Sequence, residues 1–330
     1  EAIRSFRAAI AIAPDHAFAH FNLGKTLSDF GLIEEAAAAY RRAIELAPAT
    51  ADFHNSLGLA LWELGRRTEA LESYRSAILL RPSLDKAYFN LHTVHLSLGS
   101  PNEAIRCLEK LVELSPENAE GQFFLGMLLD YYGETARTAG LLERAAGGPP
   151  WVRASLDSYQ YIKSTGRGRP AMIGTPIDAF ELAIRRARDE GLVLEFGVRF
   201  GTSIRQIAPL VETELHGFDS FQGLPEAWHT EPKGSYTTLG RRPDVPANVR
   251  LHSGWFQETI PSFIRSHPGP VRFMHVDCDL YSSTRTVLEL FAERIGPGSV
   301  LVFDEYFGHE HWRDDEFRAL QEVAATMAWK

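Results

Sequence analysis

The sequence has little of several features that would narrow its function. It has only two cysteines, Cys107 and Cys278, among 330 residues, which excludes a disulfide framework and favours a reducing compartment. Its 34 Lys and Arg are outnumbered by 43 Asp and Glu, and the net charge is −9, so nucleic acid is disfavoured as the main partner. No apolar run approaches the roughly 18 residues of a membrane-spanning helix. We therefore predict a globular, cytoplasmic protein without a membrane span.

The length favours two domains, because one hydrophobic core rarely grows past about 250–300 residues. The chain opens at Glu1 with a segment that reads as the second half of a repeat, and it stops soon after a predicted helix. We expect the sequence to be an excerpt of a longer protein, with its second domain truncated at the C-terminus.

Proline and glycine recur at a fixed interval in the first half of the chain. The two series, each with a spacing of 34, are Pro14, Pro48, Pro82 and Pro116, and Gly31, Gly65, Gly99 and Gly133. This period is the sequence mark of tetratricopeptide repeats, each a helix–turn–helix that stacks on its neighbours. The sequence resembles that family over three units, with a degenerate fourth at 133–145 that we expect to cap an α-helical solenoid.

The repeat residues all have packing explanations, so the resemblance implies a binding module and no chemistry. Such arrays bind peptides or partner proteins in a concave groove lined by the first helix of each unit. The side chains expected to face it are Phe18, Asn22, Lys25, Asn55, Lys86 and Asn90, and each is also consistent with an ordinary solvated surface.

The predicted domains are a repeat array at 1–147, a linker and connecting helix at 148–170, and a second domain at 171–330. Gly147, Gly148, Pro149 and Pro150 break the last repeat helix. In the second domain, short strand-like runs at 192–196, 215–218, 249–252, 273–276 and 300–303 alternate with helical segments. This rhythm predicts an α/β doubly wound, Rossmann-like sheet, whose ligands bind at the carboxyl ends of the strands.

Glycines follow the first of these runs and an aspartate ends the second. Gly197 and Gly201 lie in a strand-to-helix turn whose spacing lacks the G-x-G-x-x-G of a dinucleotide site. Asp219, 22 residues after Gly197, is well placed to accept hydrogen bonds from ribose hydroxyls. Structural turns and a capping aspartate explain the same residues, so both readings stay open.

Five segments in one order make a more specific resemblance: 194–198 (LEFGV), 217–225 (GFDSFQGLP), 254–256 (GWF), 275–281 (HVDCDLY) and 303–306 (FDEY). Together they resemble the macrocin O-methyltransferase family, which uses S-adenosylmethionine, over about residues 175–320. The resemblance implies that Glu195, Gly197 and Gly201 cradle the methionine end of this donor and that Asp219 holds its ribose. Ser253 and Trp255 would lie beside the adenine. A terminal strand pair after Lys330 is also implied.

Acidic residues follow the fourth and fifth runs, and both pairs fall at the same edge of the predicted sheet. Carboxylates clustered without basic partners repel each other, and a divalent cation such as Mg²⁺ relieves this. The resemblance implies that Asp277, Asp304 and Glu305 bind the metal and that Asp277 also takes the proton of the substrate. Glu305 replaces the aspartate of many relatives, and Asp279 also suits a turn or a helix cap.

We therefore predict a metal-dependent methyltransferase that moves a methyl group from S-adenosylmethionine to a hydroxyl of a sugar or glycosylated small molecule. The repeat array would bind a protein or peptide. The alternative is a non-catalytic adaptor in which the repeats act and the second domain is degenerate. A nicotinamide-dependent oxidoreductase is disfavoured by the glycine spacing. The segment 222–245 is the candidate substrate lid, and His309 and His311 are either loop residues or groups that orient substrate.

Overall fold

Helices in consecutive pairs build the first part of the chain. The computed structural model describes residues 2–165 and 170–329. Within these ranges the pairs are preceded by α1 (Ala2–Ile12) and are α2 (Ala17–Asp29) with α3 (Ile33–Leu46), α4 (Ala51–Glu63) with α5 (Arg67–Leu80), α6 (Asp85–Ser97) with α7 (Pro101–Leu114), and α8 (Ala119–Tyr131) with α9 (Thr135–Ala146). Each spans one 34-residue period, so the predicted solenoid is confirmed. A further helix, α10 (Pro150–Ser164), contributes Val152 and Leu156 to a core cluster with Phe123 and Ala145.

The periodic glycines and prolines have distinct structural roles. Gly31, Gly65, Gly99 and Gly133 turn the chain between the two helices of each pair with φ of 67°, 70°, 67° and 89°, a region that glycine enters without steric cost. The carbonyl of each periodic proline accepts a hydrogen bond from a side chain six residues later. These donors, again 34 residues apart, are His20, His54, Tyr88 and Gln122.

Glycine in the first helix of a pair makes room for a large side chain from the second. A Cβ atom on Gly58 would lie 2.7 Å from a ring carbon of Tyr74, which is almost completely buried, and Gly24 meets Tyr40 in the same way at 2.6 Å. In the third unit this glycine is replaced by the buried His92. Small and large residues therefore alternate across the interface between the helices of a pair.

A parallel sheet forms the second part of the chain. Its elements are α11 (Pro176–Arg186), β1 (Leu192–Phe196), α12 (Thr202–Ile207), β2 (Leu215–Asp219), β3 (Val249–Ser253), α13 (Phe256–Ser266), β4 (Val271–Val276), α14 (Tyr281–Phe291), β5 (Val300–Phe303) and α15 (Glu316–Thr326). In the described ranges the strand order is β3-β2-β1-β4-β5, and all pairs are parallel. The predicted Rossmann-like sheet is thus confirmed.

The strands are apolar because helices cover both faces of the sheet. In β4, Val271, Phe273, Met274 and Val276 are all completely buried, as expected for a central parallel strand. Phe273 packs into one core cluster, while Met274 and Val276 pack into a second.

The two parts are separate compact units, Glu1–Asp178 and Ala179–Lys330. The boundary falls within α11, so residues 171–178, which the sequence assigns to the second domain, lie in the first unit. The predicted linker at 148–170 includes residues 166–169, which lie outside the described residues, as do Glu1 and Lys330. Within the described ranges, none of the helices combines the length and apolar character needed to cross a bilayer.

The carboxyl ends of β1 and β4 approach each other at Gly197. The Asp277 N–H donates to the Phe196 carbonyl at 2.8 Å, and the Gly197 N–H donates to the Phe218 carbonyl at 3.0 Å. A Cβ atom on Gly197, whose φ is 92°, would lie only 1.6 Å from the Asp277 carbonyl oxygen. Only glycine allows this approach without moving a strand end.

We expect Gly58→Ala to destabilise the second repeat unit, because the new methyl group would push on the buried Tyr74 ring. Overpacking costs about 1–3 kcal/mol, and the better helix propensity of alanine offsets at most about 1 kcal/mol of it. Gly140→Ala is the matched control: its methyl group would meet only the Arg144 side chain, at 3.6 Å. Hydrogen exchange of α4 and α5 amides should be faster in Gly58→Ala, and equal exchange in the two variants would contradict the packing argument.

We expect Gly197→Ala to lower the free energy of unfolding of the second unit by about 3 kcal/mol or more, because backbone strain adds to a clash with backbone. Gly234→Ala is the control, since Gly234 has a similar φ of 87° and nothing within 4 Å of a Cβ atom. It should cost about 1–2 kcal/mol. Hydrogen exchange of β1 and β4 amides measures the difference, and a cost at Gly197 no larger than at Gly234 would refute it.

Candidate active site

A cavity of about 640 Å³ lies at the carboxyl edge of the sheet. This volume falls within the roughly 300–1,000 Å³ of small-molecule sites. It is lined from the ends of β1, β2, β4 and β5, from the start of α13 and α14, and from the segment that follows β2. The cavity is therefore where a doubly wound sheet places its ligands.

Six of the predicted site residues line this cavity: Gly197, Asp219, Trp255, Asp277, Asp304 and Glu305. The other three do not. Glu195 is completely buried in β1, Gly201 caps the start of α12, and Ser253 ends β3 with an exposed side chain. The sheet thus gathers residues that lie at or just after the carboxyl ends of its five strands in the described ranges.

The Asp219 carboxylate is largely engaged by backbone N–H groups. Its Oδ2 accepts from Val198 at 2.8 Å and from Arg199 at 2.7 Å, and its Oδ1 accepts from Phe221 at 2.6 Å. A carboxylate has about four acceptor positions, so one remains on Oδ1 for a ligand hydroxyl. In this structure Asp219 holds the glycine turn after β1 in place.

Glu195 plays a similar part beneath the cavity. Its Oε1 accepts a hydrogen bond from Ser203 Oγ at 2.7 Å, which ties β1 to the first turn of α12. Its Oε2 lies 3.7 Å from Nδ1 of the buried His275. Burial alone would lower the pKa of His275, but the Glu195 carboxylate and the further negative charges of Asp277 and Asp304 raise it above its ordinary value.

The carboxyl groups of the predicted acid cluster affect one another. Burial and then the negative charge of Asp304 raise the pKa of Asp277 well above its ordinary value. The same two causes raise the pKa of Asp279 to about 6 and that of Glu305 to about 7. The carboxylates of the cluster therefore repel one another, as the sequence predicts.

Glu316 belongs to the same cluster but was not predicted. It is completely buried at the start of α15, and its Oε2 accepts from the Glu305 N–H at 3.2 Å. Burial and then the charge of Asp277 raise its pKa to about 9. Its sequence position at a helix start reads as an ordinary first-turn acid, so no local signal distinguishes it.

The predicted metal ligands are not assembled as a metal site. Within residues 2–165 and 170–329, no three His, Cys, Asp or Glu side chains are placed so that they could hold a metal ion. Asp277, Asp304 and Glu305 share the cavity, but holding a cation would require their side chains to move from these positions. The residues present do not fit the metal as they stand.

The predicted lid at 222–245 does border the cavity. It contributes Leu224, Glu226, Trp228 and Tyr236 to the lining. The segment is held in its first third, where Trp228 Nε1 and His229 Nε2 both approach Oδ2 of the buried Asp315, at 3.2 Å and 2.7 Å.

The two predicted loop histidines lie beside this fastening and not in the cavity lining. The His311 ring stacks on His229 with a centroid distance of 4.0 Å. His309 Nε2 donates to the Glu305 carbonyl at 2.9 Å. Both histidines hold loops together in this structure.

Arg199 is a lining residue that sequence reasoning missed. It adopts φ of 48°, its guanidinium lies 4.9 Å from the Tyr236 ring centroid, and its charge lowers the pKa of Asp279 against the effects of burial and Asp304. Of the described residues that line the cavity, Arg199 is the basic one, against six acids: Asp219, Glu226, Asp277, Asp279, Asp304 and Glu305. The cavity is strongly acidic.

Comparison with known families assigns both parts of the chain. Residues 194–306 match a methyltransferase domain model, and residues 1–48, 21–85 and 85–118 match tetratricopeptide repeat models. A relative from Streptomyces olivaceus, 8-demethyl-8-(2,3-dimethoxy-alpha-L-rhamnosyl)-tetracenomycin-C 4'-O-methyltransferase, is 36% identical over 58 residues. The match covers 18% of this chain and 21% of the relative, so the chain spans about a fifth of the length of that curated protein.

Two solved structures match about half of the chain. MamA matches with a TM-score of 0.42 and 21% identity over 49% of this chain and 89% of that chain. YrrB, described as a TPR protein with an unusual peptide-binding site, matches with a TM-score of 0.41 and 23% identity over 50% of this chain and 86% of that chain.

The helix pairs with their 34-residue period and the parallel sheet with its cavity agree with these family matches. The chain is a tetratricopeptide repeat array joined to a methyltransferase domain.

Proposed function

We propose that the second unit transfers a methyl group from S-adenosylmethionine to a hydroxyl oxygen, and that the acceptor is a sugar or a glycosylated small molecule. The observation that carries the proposal is the acidic cavity at the carboxyl edge of the sheet, within residues that match a methyltransferase domain. The acceptor rests on the macrocin O-methyltransferase resemblance and on the partial similarity to the tetracenomycin 4'-O-methyltransferase.

The charge of the cavity supports this donor over a nucleotide cofactor. S-adenosylmethionine supplies a methyl group bonded to a positively charged sulfur, and six carboxyl groups against one guanidinium favour a cation. A dinucleotide would instead bring a negatively charged pyrophosphate into the same acids. Trp255 and Phe256 add aromatic surface suited to a purine.

Asp277 is the residue proposed to accept the proton of the hydroxyl. It follows the central strand β4, its backbone is fixed by the contact with Gly197, and it lines the cavity. Its raised pKa makes the carboxylate a better proton acceptor than an ordinary aspartate. As the oxygen bonds to the methyl carbon, the bond from carbon to sulfur breaks, and the hydroxyl proton passes to the Asp277 carboxylate.

The remaining predicted residues have supporting parts in this proposal. Glu195 and Asp219 hold the turn after β1, and Asp219 keeps one acceptor position for a ribose hydroxyl. Gly201 precedes α12 as its N-cap with φ of 78°, and Ser253 ends β3 two residues before Trp255, which lines the cavity. The repeat array is proposed to bind a protein or peptide. A reducing compartment such as the cytoplasm is supported by two free, buried cysteines.

The alternative is an adaptor whose second unit no longer catalyses. The observation that favours it is the engagement of Asp219 by three backbone N–H groups, which leaves little of its carboxylate for a ribose. Isothermal titration of the full chain with S-adenosylmethionine separates the two. Saturable binding at one site is expected, and absence of binding by folded protein supports the adaptor.

We expect Asp277→Asn to lower methyl transfer by about 10²–10⁴-fold, the usual contribution of a general base. Affinity for S-adenosylmethionine should stay within a few-fold of wild type. The assay is incorporation of isotopically labelled methyl groups into a cell extract, detected by mass spectrometry, with calorimetry for donor binding. Asp314→Asn, the same change at an exposed loop position, is the control. Undiminished transfer by Asp277→Asn would remove Asp277 from the mechanism.

We also infer a requirement for Mg²⁺, with Asp277, Asp304 and Glu305 as ligands, from the family resemblance. The mutual repulsion of the carboxyl groups supports it, whereas the positions of the side chains do not. Chelation with EDTA is expected to reduce labelled-methyl transfer and added Mg²⁺ to restore it. Transfer that continues at full rate in EDTA would contradict the requirement while leaving the methyl-transfer proposal intact.

A further inference from the structure

The first unit contains a segment that runs back across its own helices. After α10, residues 170–175 form neither helix nor strand, and α11 begins at Pro176. Residues up to Asp178 belong to the first unit. This segment, residues 170–178, contacts three successive repeat units and is called the cis segment below.

The contacts begin at the fourth repeat unit. Tyr131, the last residue of α8, donates a hydrogen bond from its hydroxyl to the Pro170 carbonyl at 2.8 Å. Met172 packs against the core cluster that contains Leu125 and Leu128 of α8. An apolar side chain and a backbone carbonyl are thus both recognised.

The third repeat unit makes the closest approach. A Cβ atom on Gly174 would lie 2.3 Å from the Thr93 carbonyl oxygen and 2.4 Å from the Ser97 nitrogen. Thr93 and Ser97 lie one turn apart on the same face of α6, so the backbone of the cis segment lies directly against that helix. No side chain larger than hydrogen fits at residue 174 without moving backbone.

The second repeat unit adds a charge pair. Arg67, the first residue of α5, donates from Nη2 to Oδ1 of Asp178 at 2.6 Å, and both side chains are largely buried. Asp178 is oriented by Thr175, whose hydroxyl donates to its Oδ2 at 2.7 Å. Ile177 lies over Gly65, in the turn before α5.

The fit is incomplete at one point. Ser97 Oγ is buried and has no hydrogen-bond partner among the described residues. A buried hydroxyl without a partner is unfavourable. A ligand that offered it a hydrogen-bonding group would therefore bind this face more tightly than the cis segment does.

We propose that the face formed by the turn at Gly65, the start of α5, α6 and α8 is a peptide-binding site, and that residues 170–178 are its internal ligand. The partner that fits this face is a peptide with glycine against Thr93 and Ser97 and, in a helical turn that follows, a carboxylate four residues later against Arg67. The cis segment competes with it at the high effective concentration of a tethered ligand. This inference rests on the proposed peptide-binding role of the array, but donor binding by the second unit tests the methyl-transfer proposal independently.

The test uses the full chain and a fluorescent peptide of residues 170–178 (PAMIGTPID). Wild type should bind it weakly, because the site is occupied. Gly174→Ala should release the cis segment and bind the peptide about tenfold more tightly or better, since apparent affinity scales with the fraction of open sites. A peptide with alanine in place of the glycine should bind neither protein. Gly140→Ala should behave as wild type.

Asp178→Asn is a second variant that removes the charge pair with Arg67 without adding volume. Like Gly174→Ala, it should increase the affinity for the peptide, here by a few-fold. It keeps the proposal testable if Gly174→Ala fails to fold. Circular dichroism of each variant checks the helices. Equal peptide affinity for wild type and both folded variants, or equal binding of the glycine and alanine peptides, would overturn the proposal.

Discussion

The close approach of Gly197 to the Asp277 carbonyl is the contact on which the candidate site depends. It brings the ends of β1 and β4 together so that the glycine turn and the acid cluster border one cavity. Asp219 holds the same turn from β2 through two backbone N–H groups. The geometry of the turn is therefore set by a close backbone approach and by the Asp219 carboxylate, and Asp277, Asp304 and Glu305 add mutual repulsion to that frame.

The repulsion between the carboxyl groups is tolerated because burial of apolar side chains in the sheet offsets it. Phe196, Phe218 and the apolar residues of β4 are completely buried around the strand ends. Burial of such apolar side chains stabilises a fold by about 1.5–3 kcal/mol each. This stabilisation offsets the repulsion between neighbouring carboxyl groups whose pKa values are raised. A cationic ligand entering the cavity would relieve part of that repulsion, so binding and stability are linked in this unit.

The sequence predicts the features that local rules govern and misses those made by distant contacts. The 34-residue period located each helix pair, and the apolar runs located all five strands in the described ranges to within two residues. Nothing local indicated that Glu316 is buried and bonded to the Glu305 N–H, or that Asp219 accepts most of its hydrogen bonds from backbone N–H groups. The sequence analysis assigned residues 171–178 of the cis segment to the second domain for the same reason. Their partners, Thr93 and Arg67, lie about 80 and 110 residues earlier in the chain.

The proline carbonyls of the repeats are met by histidine in two units, tyrosine in a third and glutamine in a fourth. All four side chains can present an N–H or O–H donor, and a histidine ring does so whether it is neutral or protonated. Acidification therefore leaves these ties between consecutive units in place. In this they differ from the ion pair of Arg41 with Glu69, which also joins consecutive units but needs an ionised carboxylate.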